Sequence, residues 1–433
     1  MSLTEVPLTP MGTEVGNSQV HHSPQSENMN PQYSYEESDD EIRNKIWGPY
    51  YRIALTTFQL FPFNKNASGG MKFLSFLPNL VAVLLLLTRG IYMLIRMSSA
   101  IPLSLFWAYS GILFFTSLHG LIGAFALLVY KQEMYIRNTI QKIRITTRDM
   151  VSSSSRQEFI LSIFIYAFVI IPSSVYIYEN YIMYDRDITD LLKIPNITAN
   201  ETARFRESIL GNRHLFFIDA IIIVIGAYLV ANALIIYLRA NRAICKEYEK
   251  FNQKLKKSIE DASILQRPVI KAYEAQLIDY ISTARFITNT ACFLIDVTFM
   301  AGLFIQISAQ FALKAYGPKM YSIQNVLMGM WTAQSIYFLF IATRRPAVLQ
   351  NLLTETTALL WLDHGIWSKN EDPLIREIAR SMTSRIDSVD YASKGLSPTK
   401  ASNIVFSAIM FVVPFIVDIL AKYKYVPWYQ TDD

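Results

Sequence analysis

Few residues in this chain have chemistry to offer, and most of them sit in apolar company. Asp418 stands four residues after Pro414 in the run ASNIVFSAIMFVVPFIVDILA, residues 401–421. A carboxylate inside an apolar run is costly and marks a water-lined or paired position. A proline there frees a backbone carbonyl and gives a helix a flexible point. Pro414 and Asp418 are therefore the two positions that set this run apart from a plain apolar span. The alternative places Asp418 among headgroups beside Lys422 and Lys424.

A second group of polar and amphipathic side chains is scattered through other apolar runs: Trp107, Tyr109, Ser173, Tyr176, Asp219, Gln306, Gln310 and Asn325. A small-molecule pocket is mostly apolar with a few placed polar groups, so these are ligand-pocket candidates. The competing role for each is bonding one helix to another. Catalytic chemistry is not expected. Of the five histidines, His21 and His22 lie in a polar tail, and His119, His214 and His364 fall in different layers of the topology. No cluster able to act as acid, base or metal set can form from them. No cofactor, no metal and no enzymatic activity are expected.

The elements that must hold these residues are membrane helices. Mean hydropathy is +0.24, 52% of the 433 residues are hydrophobic and only 17% charged. Repeated runs of about 20 apolar residues then imply a polytopic, all-α membrane protein in contact with the lipid bilayer. Seven spans are expected at residues 73–97, 103–130, 159–178, 215–238, 286–313, 321–343 and 401–421. Residues 1–45 are rich in Ser, Pro, Asn and Gln and are expected to be a disordered tail. Residues 46–72, aromatic and weakly charged, form an interfacial or under-bundle segment. Residues 344–400, with Trp361, Trp367, Ile375, Ile378 and Ile386 among charges, suit an amphipathic helical anchor region. Residues 422–433 form a short tail. The basic residues cluster in particular loops, which does not suggest nucleic acid. The ladder Lys246, Lys250, Lys254 and Lys257 indicates helices four and five running on beyond the membrane.

Loop charge sets the orientation. The loops at 131–156, 239–285 and 344–400 carry 6, 10 and 8 Lys and Arg; the segments at 179–214, 314–320 and 422–433 carry 5, 2 and 2. The positive-inside rule places the N-terminus in the cytoplasm and the C-terminus outside. Two glycosylation sequons, at Asn196 and Asn200, fall in a loop on the predicted outer side. This polarity is the reverse of a G-protein-coupled receptor, the main alternative class. The two cysteines, Cys245 and Cys292, fall outside the predicted outer loops, and no Asp/Glu-Arg-Tyr motif follows the third span.

The inverted seven-helix topology, the short turn between spans five and six and the long basic inner loops resemble the insect gustatory and odorant receptor superfamily. Its nematode gustatory-receptor-like and class R serpentine relatives share the pattern. YYRIALTTFQLFPF at 50–63 is similar to the segment before that family's first helix, and Gly395-Leu396 to its lead-in to the last. The gustatory signature Thr-Tyr, five apolar residues, Gln-Phe is absent from span seven. The resemblance implies a plasma-membrane chemosensory receptor, a ligand-gated cation channel subunit that responds to a small molecule. It also implies homo- or hetero-tetramers with a ligand pocket in the outer half of each subunit and the seventh helices lining the pore, which makes Pro414 and Asp418 pore or gate candidates, Asp418 attracting cations as carboxylate rings do. A receptor for light or another non-chemical stimulus is a variant of the same expectation.

Overall fold

The computed structural model describes residues 38–50, 69–147, 150–154, 156–185, 215–320, 322–368, 372–388 and 399–424. Regular structure among them is helical throughout. In chain order the helices are α1 (Asp39–Trp47), α2 (Gly69–Ser99), α3 (Leu105–Gln132), α4 (Tyr135–Thr147), α5 (Arg156–Asp185), α6 (Phe216–Glu260), α7 (Arg267–Tyr316), α8 (Ser322–Leu362), α9 (His364–Trp367), α10 (Pro373–Asp387) and α11 (Thr399–Lys422). Seven of them, α2, α3, α5, α6, α7, α8 and α11, are long and apolar enough to cross a bilayer. Each coincides with an expected span.

Helices α6 and α7 overrun the membrane. At 1.5 Å per residue the 45 residues of α6 extend about 68 Å and the 50 of α7 about 75 Å, against a hydrocarbon core of roughly 30 Å. Beyond the membrane they form a sub-bundle with α8, α9 and α10. Ile375, Ile378, Met382 and Ile386 make one buried face of α10. Asn252 on α6 donates to Leu352 O at 2.9 Å on α8, and the Tyr248 and Thr356 hydroxyls are 2.8 Å apart.

Residues 39–45, expected within the disordered tail, are part of the helix Asp39–Trp47, and residues 1–37 lie outside the described residues. Ser38 caps it, accepting from Glu41 N at 3.2 Å in the pattern Ser-Asp-Asp-Glu. Three carboxylates in its first turn complement the helix dipole. Ile42, Ile46 and Trp47 bury one face, and Trp47 Nε1 donates to Ile236 O on α6 at 3.1 Å. Residues 51–68, most of the expected interfacial segment, and Gly395-Leu396 lie outside the described residues.

Burial grades the spans. In the most apolar 18-residue window of each, 78% is buried for α6 and 11% for α11. α6 is thus the central post, while α11 packs on α7 and α8 from outside. Where α3 crosses α6 the backbones nearly touch. A Cβ at Gly123 would sit 2.8 Å from Val230 Cα, and one at Gly120 would sit 3.0 Å from Gly226 Cα. Two apolar cores result. The larger runs from α1 through the extramembrane sub-bundle. The smaller, around Tyr109, Tyr176, Phe311 and Trp331, fills the opposite end of the bundle.

Candidate functional site

The smaller core holds a polar cluster. Tyr109 from α3, Tyr176 and Glu179 from α5, and Gln324 and Trp331 from α8 converge there, all buried. The Tyr109 hydroxyl donates to Glu179 Oε2, and Gln324 Nε2 donates to Glu179 Oε1 at 3.0 Å. The rings of Tyr109 and Trp331 meet edge to face with centroids 5.5 Å apart; Tyr176 lies 6.0 Å from each. One carboxylate is thus held by neutral donors inside an aromatic box, a setting that favours a positive or donor-rich group arriving opposite it.

Next to this box, Arg89 of α2 is fully buried. Its Nε donates to Asp219 Oδ1 of α6 at 2.7 Å, and its Nη1 reaches Ser117 Oγ of α3 and, at 3.5 Å, Leu113 O. Three helices are therefore tied by one guanidinium. A small cavity of about 20 Å³ lies against it, lined by Ser117, His119, Ser173, Gly226 and Gln334 among others. That is room for one water and none for an organic ligand. Arg89 Nη2 and Gln334 Oε1, both without a hydrogen-bond partner among the described residues, suit such a water. His119 is a packing histidine: Nε2 lies 3.0 Å from Thr298 Oγ1, and its ring meets Phe338 edge-on.

The expected pocket residues divide. Tyr109 and Tyr176 form the box, while Ser173 and Asp219 belong to the buried layer next to it. Trp107 is half-buried against the same core. Gln306 faces α11, its Nε2 3.9 Å from Met410 Sδ; Gln310 is half-buried with no hydrogen bond among the described residues. Asn325 braces the turn between α7 and α8 by donating to Gly317 O at 2.9 Å. Asn196 and Asn200 lie outside the described residues. Pro414 is inside α11 and Asp418 follows it, half-exposed and ion-paired with Lys314 at the end of α7. Lys424 adds a second tie there, donating to Ala315 O at 3.1 Å.

Reading the sequence alone missed Glu179, which follows the last apolar residues of span three and looked like loop. A signal existed, because Ser173, Tyr176 and Glu179 keep a three-residue helical step past the apolar run. No three His, Cys, Asp or Glu side chains converge into a metal set among the described residues.

The family model described as "Caenorhabditis protein of unknown function, DUF267" matches residues 46–417. No curated protein sequence matches the chain. Among solved structures it is similar to the insect olfactory receptor OR5 from Machilis hrabei, with 9% identity, a TM-score of 0.54, and coverage of 86% of this chain and 99% of that one. The same receptor in complex with eugenol gives 10% identity, a TM-score of 0.58, and coverage of 89% and 100%. At such identity the likeness is one of fold.

Proposed function

The chain belongs to the DUF267 family, and from that fold and this site we propose that it is a plasma-membrane chemosensory receptor. It works as a ligand-gated cation channel subunit, with the N-terminus in the cytoplasm and the C-terminus outside. The observation that carries the proposal is the buried Glu179 in its aromatic box, set in a bundle that shares the fold of a receptor solved with a small aromatic ligand. A small molecule with an amine or hydroxyl donor satisfies Glu179 and stacks on Tyr109, Tyr176 or Trp331.

Gating needs an element shared by pocket and pore, because a ligand opens a channel only through differential affinity for the open state. Helix α7 touches both the pocket core and α11, and the Lys314–Asp418 pair joins their ends. In this proposal the pair breaks on opening and frees Asp418 to face permeating cations. The exposed apolar face of α11 supports assembly of several subunits around these helices.

The test is expression of the full chain in oocytes, with currents recorded against a panel of small aromatic alcohols and amines. Glu179→Gln and Trp331→Ala should each lower sensitivity at least about tenfold with surface expression kept. Asp418→Asn should change cation permeability. Agonist responses untouched by either pocket variant would overturn the site, and responses that require a G protein would overturn the channel. A C-terminal tag stained only after permeabilisation would overturn the orientation. Loss of an endoglycosidase mobility shift in Asn196→Gln with Asn200→Gln checks the outer loop.

A further inference from the structure

A second, larger cavity lies at the other end of the bundle and takes no part in the site above. It encloses about 580 Å³ where α4, α7 and α10 meet, and its lining includes Lys142, Ser282, Arg285, Phe286, Asn289 and Arg385. Three helices each contribute one cation. Lys142 Nζ is 3.4 Å from Ser282 Oγ and 5.6 Å from the Phe286 ring centroid. Arg385 Nε is 3.3 Å from Ser381 Oγ and 3.9 Å from Glu274, the one carboxylate paired with any of the three cations among the described residues. Neither Lys142 nor Arg285 forms an ion pair among the described residues. Uncompensated positive charge with hydroxyl and amide donors beside it is the chemistry that holds a phosphate ester.

The face of α7 that lines this cleft continues toward the membrane centre. Ser282, Arg285, Asn289, Phe293, Asp296 and Met300 succeed one another at three- and four-residue steps, so they share a face, with Asp296 half-buried between the two apolar residues. The exposed side chains on its membrane half are the apolar Phe293 and Met300, 56% and 46% exposed. That half starts where the apolar run of span five begins, near Phe286. A cationic cleft opening onto an exposed apolar stripe matches a molecule with an anionic head and an acyl chain.

We propose that this cleft binds a phosphate-bearing anionic headgroup, that of an inositol phospholipid in the leaflet facing the basic loops. The phosphates sit among Lys142, Arg285 and Arg385, and the acyl chain lies along Phe293 and Met300. This rests on α7 crossing the membrane and is independent of any ligand-gated current, so binding itself is measured.

The experiment uses the purified full chain in detergent and a fluorescent short-chain phosphatidylinositol bisphosphate, read by anisotropy. Saturable binding is expected. Lys142→Gln combined with Arg285→Gln should weaken it about tenfold or more, with an unchanged melting temperature, since Arg285 is exposed and Lys142 makes no ion pair. Lys271→Gln, which removes an exposed charge from α7 outside the cleft, should leave it within about twofold. Equal loss in both variants, equal competition by phosphatidylserine, or no saturable binding would each overturn the proposal. Soluble inositol trisphosphate competing only at much higher concentration than the lipid supports the membrane-bound source. Competition at the lipid's own concentration overturns that source and assigns the cleft to free phosphate esters.

Discussion

Asp219 and Glu179 lie in one half of the bundle and are satisfied in opposite ways. Asp219 has a buried cation, Arg89; among the described residues Glu179 has only a phenol and an amide as hydrogen-bond partners. In the proposed site Glu179 is therefore the carboxylate left for a ligand, while the Arg89 pair of Asp219 ties α2 to α6. Asp219→Asn should leave Arg89 buried with its charge uncompensated, at a cost of about 3–5 kcal/mol. This is measurable as denaturant unfolding of the detergent-purified chain. Arg89→Met combined with Asp219→Leu should recover most of that loss, because neither charge then remains to be paired. A double variant no more stable than Asp219→Asn would show that the pair is not what the site depends on. At this scale the sequence shows which residues are out of place in an apolar run but not what they meet. Arg89 and Arg96 are visibly seven residues apart on one face, yet Asp219 as the partner depends on how α2 leans across α6.

Among the elements, the α3–α6 crossing is the tightest contact. Gly123 allows it, since any Cβ there meets the Val230 backbone, which cannot rotate out of the way as a side-chain tip can. Gly123→Ala should destabilise the chain by about 1–3 kcal/mol, read as a lower melting temperature and reduced surface delivery. Gly111→Ala is the matched control. Its Cβ would lie 3.5 Å from Met97 Sδ, an ordinary contact with a flexible side chain, and it should be nearly silent. Equal effects would mean that helix propensity and not packing governs both. The helices themselves were legible in their apolar runs, as were the extensions of α6 and α7 in the lysine ladder at 246–257. Helix α1 was not, because nine residues with three leading carboxylates read as polar tail until Ile42, Ile46 and Trp47 are seen buried against α6. The reach of α5 to Asp185 was hidden for a related reason: hydropathy ends with Tyr178 but the hydrogen-bonded helix does not.

For the whole molecule, the uneven burial of the spans decides the expectation about association. Phe411 and Phe415 on α11 are 82% and 65% exposed and make no contribution to the core of a single chain. Phe411→Ala with Phe415→Ala keeps the span apolar and should therefore leave the monomer folded, while shifting cross-linked full-length chain from oligomer to monomer. An unshifted pattern would assign that face to lipid alone. Helix α7 adds a mechanical property to this picture. It has no proline after its first turn, it is gripped near one end by the extramembrane sub-bundle, and α11 hangs from the other end through Lys314. A beam with no joint cannot answer a thinner or thicker bilayer by bending, so it must lean. Its free tip then swings through an arc and carries the last helix along, so that in the proposed channel the thickness of the surrounding lipid would act on the same lever.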